Sequence, residues 1–190
     1  MSEAMIETAL SAGRLRCPSC ERPLVCWGFA RERQIRLLAG TVTIRPRRAR
    51  CDACEQTHVI VPAVSVPRRR DGAEVIGQAL LAHAHGDGHR RIAARLDRPP
   101  GTVRGWIRAF TRRADELADT AQRWIAALTP ERAQLLPARG HSRCWRAVNA
   151  LGLAAKTANL ELDRRTDPWE LLVALTGGLL HGPLRQPTGL

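Results

Sequence analysis

Two Cys-x-x-Cys pairs constrain the first third of this chain more than anything else in it. RLRCPSCERP holds Cys17 and Cys20, RARCDACEQTH holds Cys51 and Cys54, and thirty residues separate Cys20 from Cys51. Tetrahedral Zn2+ takes four thiolates at about 2.3 Å, and a Cys-x-x-Cys turn aims two sulfurs at one point. The turn residues Pro18-Ser19 and Asp52-Ala53 are small enough for such knuckles. A thioredoxin-like redox motif would be a single pair in a βαβ setting, and an iron–sulfur cluster suits this spacing less well. Cys26 and His58 lie near enough in sequence to act as substitute ligands. Cys26, in LVCWG, reads as a small core strand residue, and His58 as a surface or strand residue. Four cysteines leave no open position for water, so the expected zinc is structural. A segment of this size buries little core, and metal would replace core as the stabiliser.

The sequence between the pairs suits a ribbon. LVCW, RQIRLL, TVTIR and HVIV alternate apolar and polar residues, and Ala39-Gly40 reads as a turn. Residues 14–66 therefore form a small β-rich zinc ribbon. PAVSVPRRRDG, 62–72, is rich in Pro and Arg and reads as a linker. From Ala73 the pattern turns helical, which makes the fold class α+β: a ribbon, then an all-α region. The first thirteen residues read as a short helix or a frayed tail.

Charge narrows the class of partner. Of 30 basic residues only Lys156 is lysine, against 18 acidic ones, and the net charge is +12. A pI near 11.2 points to an anionic partner, with nucleic acid leading. Residues 1–70 carry 13 Arg against 6 acids, a net of +7, whereas 71–128 carry 9 against 7, a net of +2. The cysteine-bearing segment is the most basic part. The start, MSEAMIETALSAG, lacks the pattern of a signal peptide, and LLVALTGGLL at 171–180 is too short to span a bilayer. A cytoplasmic setting is expected, where thiols stay reduced.

Residues 73–128 read as a helix-turn-helix with an extended third helix. A first helix covers 73–84 and ends at Gly86-Asp87-Gly88, and a second covers 89–96, HRRIAARL. DRPPG turns the chain at 97–101, with Asp97 suited to a left-handed backbone. The third helix opens at Thr102. Val103, Trp106, Ile107, Phe110, Ala114, Leu117, Ala118, Ala121, Trp124, Ile125 and Leu128 form one apolar stripe along it, near a 3.5-residue period. Thr102, Arg104, Gly105, Arg108 and Arg112 are left facing outward. In a helix-turn-helix such residues meet the major groove, and Arg reads guanine by two parallel hydrogen bonds. Arg90 and Arg91 are placed for phosphates. Arg45, Arg47, Arg48 and Arg50, with Arg68, Arg69 and Arg70, would neutralise phosphates or enter the minor groove. The plainer reading of this region is a helical hairpin with a solvated arginine face.

Residues 129–182 read as a C-terminal helical region, with helices at about 130–136, 142–158 and 168–180. Thr129-Pro130 reads as the start of the first, and Asp167 with Glu170 as a capping box for the last. His83, His85 and His89 cluster about Asp87 and suit capping and loop roles better than a second metal site. Cys144 reads as packed and inert. No catalytic triad, Walker loop or dinucleotide fingerprint is present, so no enzyme and no small-molecule substrate is expected.

The run RRIAARL…TVRGWIRAF resembles the helix-turn-helix of bacterial insertion-sequence transposases and resolvase-type DNA-binding domains. RERQIRLLAGTVTIRPRRARC, 31–51, resembles the ribbon that precedes it in some transposases. The resemblance covers about residues 14–113 and implies binding to DNA ends or operator-like sites. Those transposases continue into a long catalytic domain with three acidic residues, whereas 77 residues follow Arg113 here, and Gly88-His89 replaces the usual small polar cap. The expectation is a stand-alone protein that binds double-stranded DNA, as a monomer or a homodimer, with no membrane association. The alternatives are a protein- or RNA-binding zinc-ribbon adaptor, and the DNA-binding subunit of a separately encoded transposase.

Overall fold

A computed structural model describes residues 2–130, 142–161, 166–176, 178 and 180. It is mixed α and β. Helix α1 (Glu3–Ser11) precedes five short strands: β1 (Val25–Phe29), β2 (Arg33–Arg36), β3 (Thr41–Ile44), β4 (Arg47–Arg50) and β5 (Thr57–Ile60). Six helices follow: α2 (Ala73–Ala84), α3 (His89–Leu96), α4 (Pro100–Arg112), α5 (Ala114–Leu128), α6 (Arg143–Glu161) and α7 (Pro168–Thr176).

The strands form an antiparallel sheet in the order β1-β4-β5 and a separate hairpin, β2-β3. Gly40, at φ +144, makes the hairpin turn in a conformation that L side chains rarely adopt. The sheet has a small core of its own. Ile6 and Leu10 of α1 pack with Leu24, Ala49, Cys17 and Cys51. The N-terminal helix is held: the Ser2 side chain caps it, Glu3 accepts from the Arg45 N–H at 2.9 Å, and Glu7 pairs with Arg47 at 3.0 Å. Cys26, expected in the core, is exposed on edge strand β1.

The main core belongs to the helices. Ile76, Leu80, Ile92, Trp106, Phe110, Leu117, Ile125 and Leu151 are buried together. α5 packs chiefly against α6, so the apolar stripe is covered within the chain. That stripe is not one extended helix. α4 ends at Arg112 and α5 begins at Ala114, with Arg113 between them at φ −105, ψ 5. Arg113 turns to other partners there, donating to the Gly178 carbonyl at 3.1 Å and to Glu116 at 3.2 Å. α4 also opens two residues earlier than expected, with Pro100 at its first position, where a missing N–H costs nothing. α6 runs from Arg143 to Glu161 against the expected 142–158, and α7 ends at Thr176 rather than 180. The Asp167 carboxylate caps α7, accepting from the Trp169 and Glu170 N–H groups at 2.9 and 3.1 Å. The helix expected at about 130–136 lies outside the described residues beyond Pro130.

Segment 62–72 is packed, not a free linker. Ser65, Val66 and Asp71 are buried, and Val66 joins the helical core. Asp71 pairs with Arg36 of β2 at 2.7 Å and with Arg98, between α3 and α4, at 2.6 Å. One carboxylate thus ties the β2-β3 hairpin to the helices. No helix among the described residues is long and apolar enough to cross a membrane.

Candidate metal centre and basic surfaces

Each cysteine pair sits on a tight turn, and the two turns match. The Cys17 N–H donates to the Arg22 carbonyl at 2.8 Å, and the Cys51 N–H to the Gln56 carbonyl at 2.9 Å. The residue after each pair, Glu21 or Glu55, holds φ near +58 and +57. A left-handed residue there swings the chain away and leaves backbone N–H groups pointing at sulfur. β4 leads directly into Cys51, and its pairing with β1 and β5 brings the two knuckles face to face.

The four sulfurs lie within 4.8 Å of one another. Cys17–Cys54 is 3.6 Å, Cys20–Cys51 3.3 Å and Cys20–Cys54 3.7 Å. A tetrahedron with metal–sulfur bonds of about 2.3 Å has edges of about 3.8 Å. The donors therefore fit a metal ion such as zinc, and among the described residues no other group of His, Cys, Asp or Glu is gathered for one. His83 is occupied elsewhere, against the Asp87 carbonyl at 3.2 Å.

Protonation divides the four. Hydrogen bonds from the Ser19 N–H, then from Cys20 and the neighbouring Cys54, bring the Cys17 thiol down to about 6. The Cys54 N–H likewise lowers Cys51. The Arg22 N–H acts to lower Cys20, but the Cys51 sulfur and burial outweigh it and push Cys20 up to about 12. At Cys54 the Gln56 N–H is outweighed by burial and by Cys17 and Cys51, and the thiol rises. Cys17 and Cys51 are thus shifted toward the thiolate, and Cys20 and Cys54 away from it. A divalent cation at the centre removes that conflict. His58, read from sequence as a surface or strand residue, places Nε2 3.5 Å from the Cys17 sulfur. It lies on β5 as a neighbour to the four thiols, as its closeness to Cys54 in sequence allows. Cys144 is buried in α6, where burial raises its thiol to about 11 and keeps it protonated.

The arginines divide into free and paired groups. On α4, Val103, Trp106, Ile107 and Phe110 are buried, while Arg104, Arg108 and Arg112 are exposed and make no hydrogen bond or ion pair among the described residues. Thr102 is half-buried. Gly101 and Gly105 lie on the same helix with nothing within 4 Å of where a Cβ would stand. The turn before α4 places Asp97 at φ 50, ψ 55, left-handed as expected. Arg90 is exposed, and Arg91 reaches Asp87 at 3.5 Å. On the ribbon, Arg47 pairs with Glu7 and Arg50 with Glu55, leaving Arg45 and Arg48 exposed. Arg68, Arg69 and Arg70 line a cleft against β2.

Residues 17–98 match a family described as a domain of unknown function, DUF6431. The match holds all four cysteines and all three members of the Arg36–Asp71–Arg98 tie, and it ends at the turn before α4. No curated protein matches the chain. No solved structure matches it.

Proposed function

We propose that this chain is a non-enzymatic, zinc-stabilised protein that binds double-stranded DNA, with α3 and α4 as a helix-turn-helix and α4 in the major groove. The observation that carries the reading is the outward face of α4. Three arginines at i, i+4 and i+8 stand unpaired there, beside two glycines whose missing side chains serve no internal packing. A glycine inside a helix costs about 0.5–1 kcal/mol relative to alanine. Open space around such a residue suits close approach by a partner's backbone. Left-handed Asp97 and the Pro99-Pro100 turn set α4 across α3, and the buried Trp106 and Phe110 hold that face outward.

Arg104, Arg108 and Thr102 then read base edges, and Arg112 lies further along the same groove. Arg90, Arg91, Arg45 and Arg48 neutralise phosphates. Zinc in the four-thiolate site is structural: it closes a sheet whose buried cluster holds six residues, two of them Cys17 and Cys51 themselves. The test is duplex binding measured against salt. Arg104→Ala should relax sequence preference, with a cost of about 1–3 kcal/mol at one base position. Arg45→Ala with Arg48→Ala should weaken binding to all sequences alike and flatten the salt dependence. If both changes act alike, the division of roles is wrong.

A further inference from the structure

The ribbon carries a second surface of different chemistry. β1 exposes Val25, Trp27 and Phe29 at 40%, 49% and 45%. A domain with so little core would gain by burying two aromatic rings. Instead each ring carries guanidinium groups: Arg50 lies 4.9 Å from the centre of Trp27, and Arg45 and Arg47 lie 4.6 and 4.2 Å from that of Phe29. Val59, on edge strand β5 of the same sheet, is also exposed and lines a shallow groove of about 450 Å³ with Arg31, Arg33 and Arg68. Those three arginines continue into a cleft of about 600 Å³, joined there by Arg36, Arg69 and Arg70, with Glu32 as its one acid. Arg31, Arg33, Arg68 and Arg70 have no hydrogen-bond or ion-pair partner for their side chains among the described residues. Arg68 holds φ +62, a left-handed conformation that costs a non-glycine residue about 1 kcal/mol or more.

Arg48 and Arg50 share one face of β4, with Val59 opposite Arg48 and Trp27 under Arg50, whereas Phe29 pairs with Arg47 on the other face. We propose that the Trp27 face holds an unpaired polynucleotide strand, a base stacked on Trp27 and its phosphates in the arginine cleft. An exposed aromatic beside a cationic groove is what a single strand needs, since every base has a face to stack and every linkage a charge to neutralise. A duplex offers only the charge, because its base faces are already stacked on one another. A polypeptide could cover the ring, but a cleft with six arginines calls for repeated anions. A small anion would use the cleft and leave the aromatic shelf without a role. DNA and RNA strands share this chemistry. The proposal rests on β1, β2 and residues 68–70, not on α4, so it stands or falls separately from the duplex reading.

The experiment is fluorescence anisotropy with the zinc-loaded full chain and labelled strands of about 12 nucleotides, within the usual footprint of such surfaces. The strands are oligo(dT), oligo(U), an abasic strand of equal length and a duplex. Oligo(dT) or oligo(U) should bind about tenfold tighter than the abasic strand, the scale of one stacked base. Whichever of the two binds tighter identifies the sugar. Trp27→Ala should remove that advantage and leave duplex binding unchanged, and Trp27→Phe should restore most of it. Abasic binding equal to oligo(dT) and oligo(U) would overturn the proposal. So would a Trp27→Ala protein with full zinc content and unaltered strand affinity. Duplex binding without single-strand binding would overturn it while leaving the α4 reading intact, and would favour a protein partner for the aromatic shelf.

Discussion

Asp71 holds Arg98 at 2.6 Å, with the two side chains only 3% and 12% exposed. The pair joins the segment after the ribbon to the turn that aims α4. Removing one partner of a buried pair leaves the other charge unpaired and costs about 3–5 kcal/mol. Asp71→Ala should therefore lower the denaturation midpoint strongly, and more than Arg36→Ala, because Arg36 is 41% exposed. Chemical denaturation of the two variants checks the order.

Gly77 of α2 faces Trp169 of α7. A Cβ at Gly77 would stand 2.0 Å from the indole ring. Gly77→Ala ordinarily favours a helix, but here overpacking should dominate and destabilise by about 1–3 kcal/mol. A shift in Trp169 fluorescence should accompany the loss. A stabilised Gly77→Ala protein would contradict the packing of α7 on α2.

Gly105→Ala should do the opposite. Its surroundings are open, so the helix should gain about 0.5–1 kcal/mol. Duplex affinity should fall if a DNA backbone approaches that face. Thermal melting and duplex titration of the same variant separate the two effects.

Metal binding should release protons in a pattern set by the cysteines. At neutral pH, Cys17, brought down to about 6, is already ionised, and Cys51 is lowered in the same direction by the Cys54 N–H. Cys20 and Cys54, both raised, still hold their protons. Zinc should therefore displace fewer than four protons at neutral pH, and more as the pH falls through the range where Cys17 takes one up. Affinity should drop with falling pH, and more steeply below that range. Calorimetry in buffers of different ionisation enthalpy counts the protons directly. Chelation should unfold the ribbon, seen as loss of strand signal, while α2–α7 retain their helical signal.

Much of this was legible because the signals were local. Paired Cys-x-x-Cys turns, the Asp97 turn and the Asp167 cap each lie within a few residues of sequence. What stayed hidden depends on distant partners. The apolar stripe runs in phase through Arg113, so nothing local marks the break between α4 and α5, which comes with a bond from Arg113 to Gly178. Segment 62–72 has a linker's composition, yet Asp71 finds two arginines, one 35 and one 27 residues away. The alternation in LVCWG reads Cys26 as a core residue. Pairing on one edge only leaves Val25, Cys26, Trp27, Gly28 and Phe29 all exposed.

The most direct test of the central reading is selection. The zinc-loaded protein is incubated with fragmented genomic DNA at physiological salt, and the retained fragments are sequenced. The α4 reading predicts one enriched motif that Arg104→Ala degrades at a defined position. Recovery of all fragments alike by the folded protein, unchanged in Arg104→Ala, would contradict it.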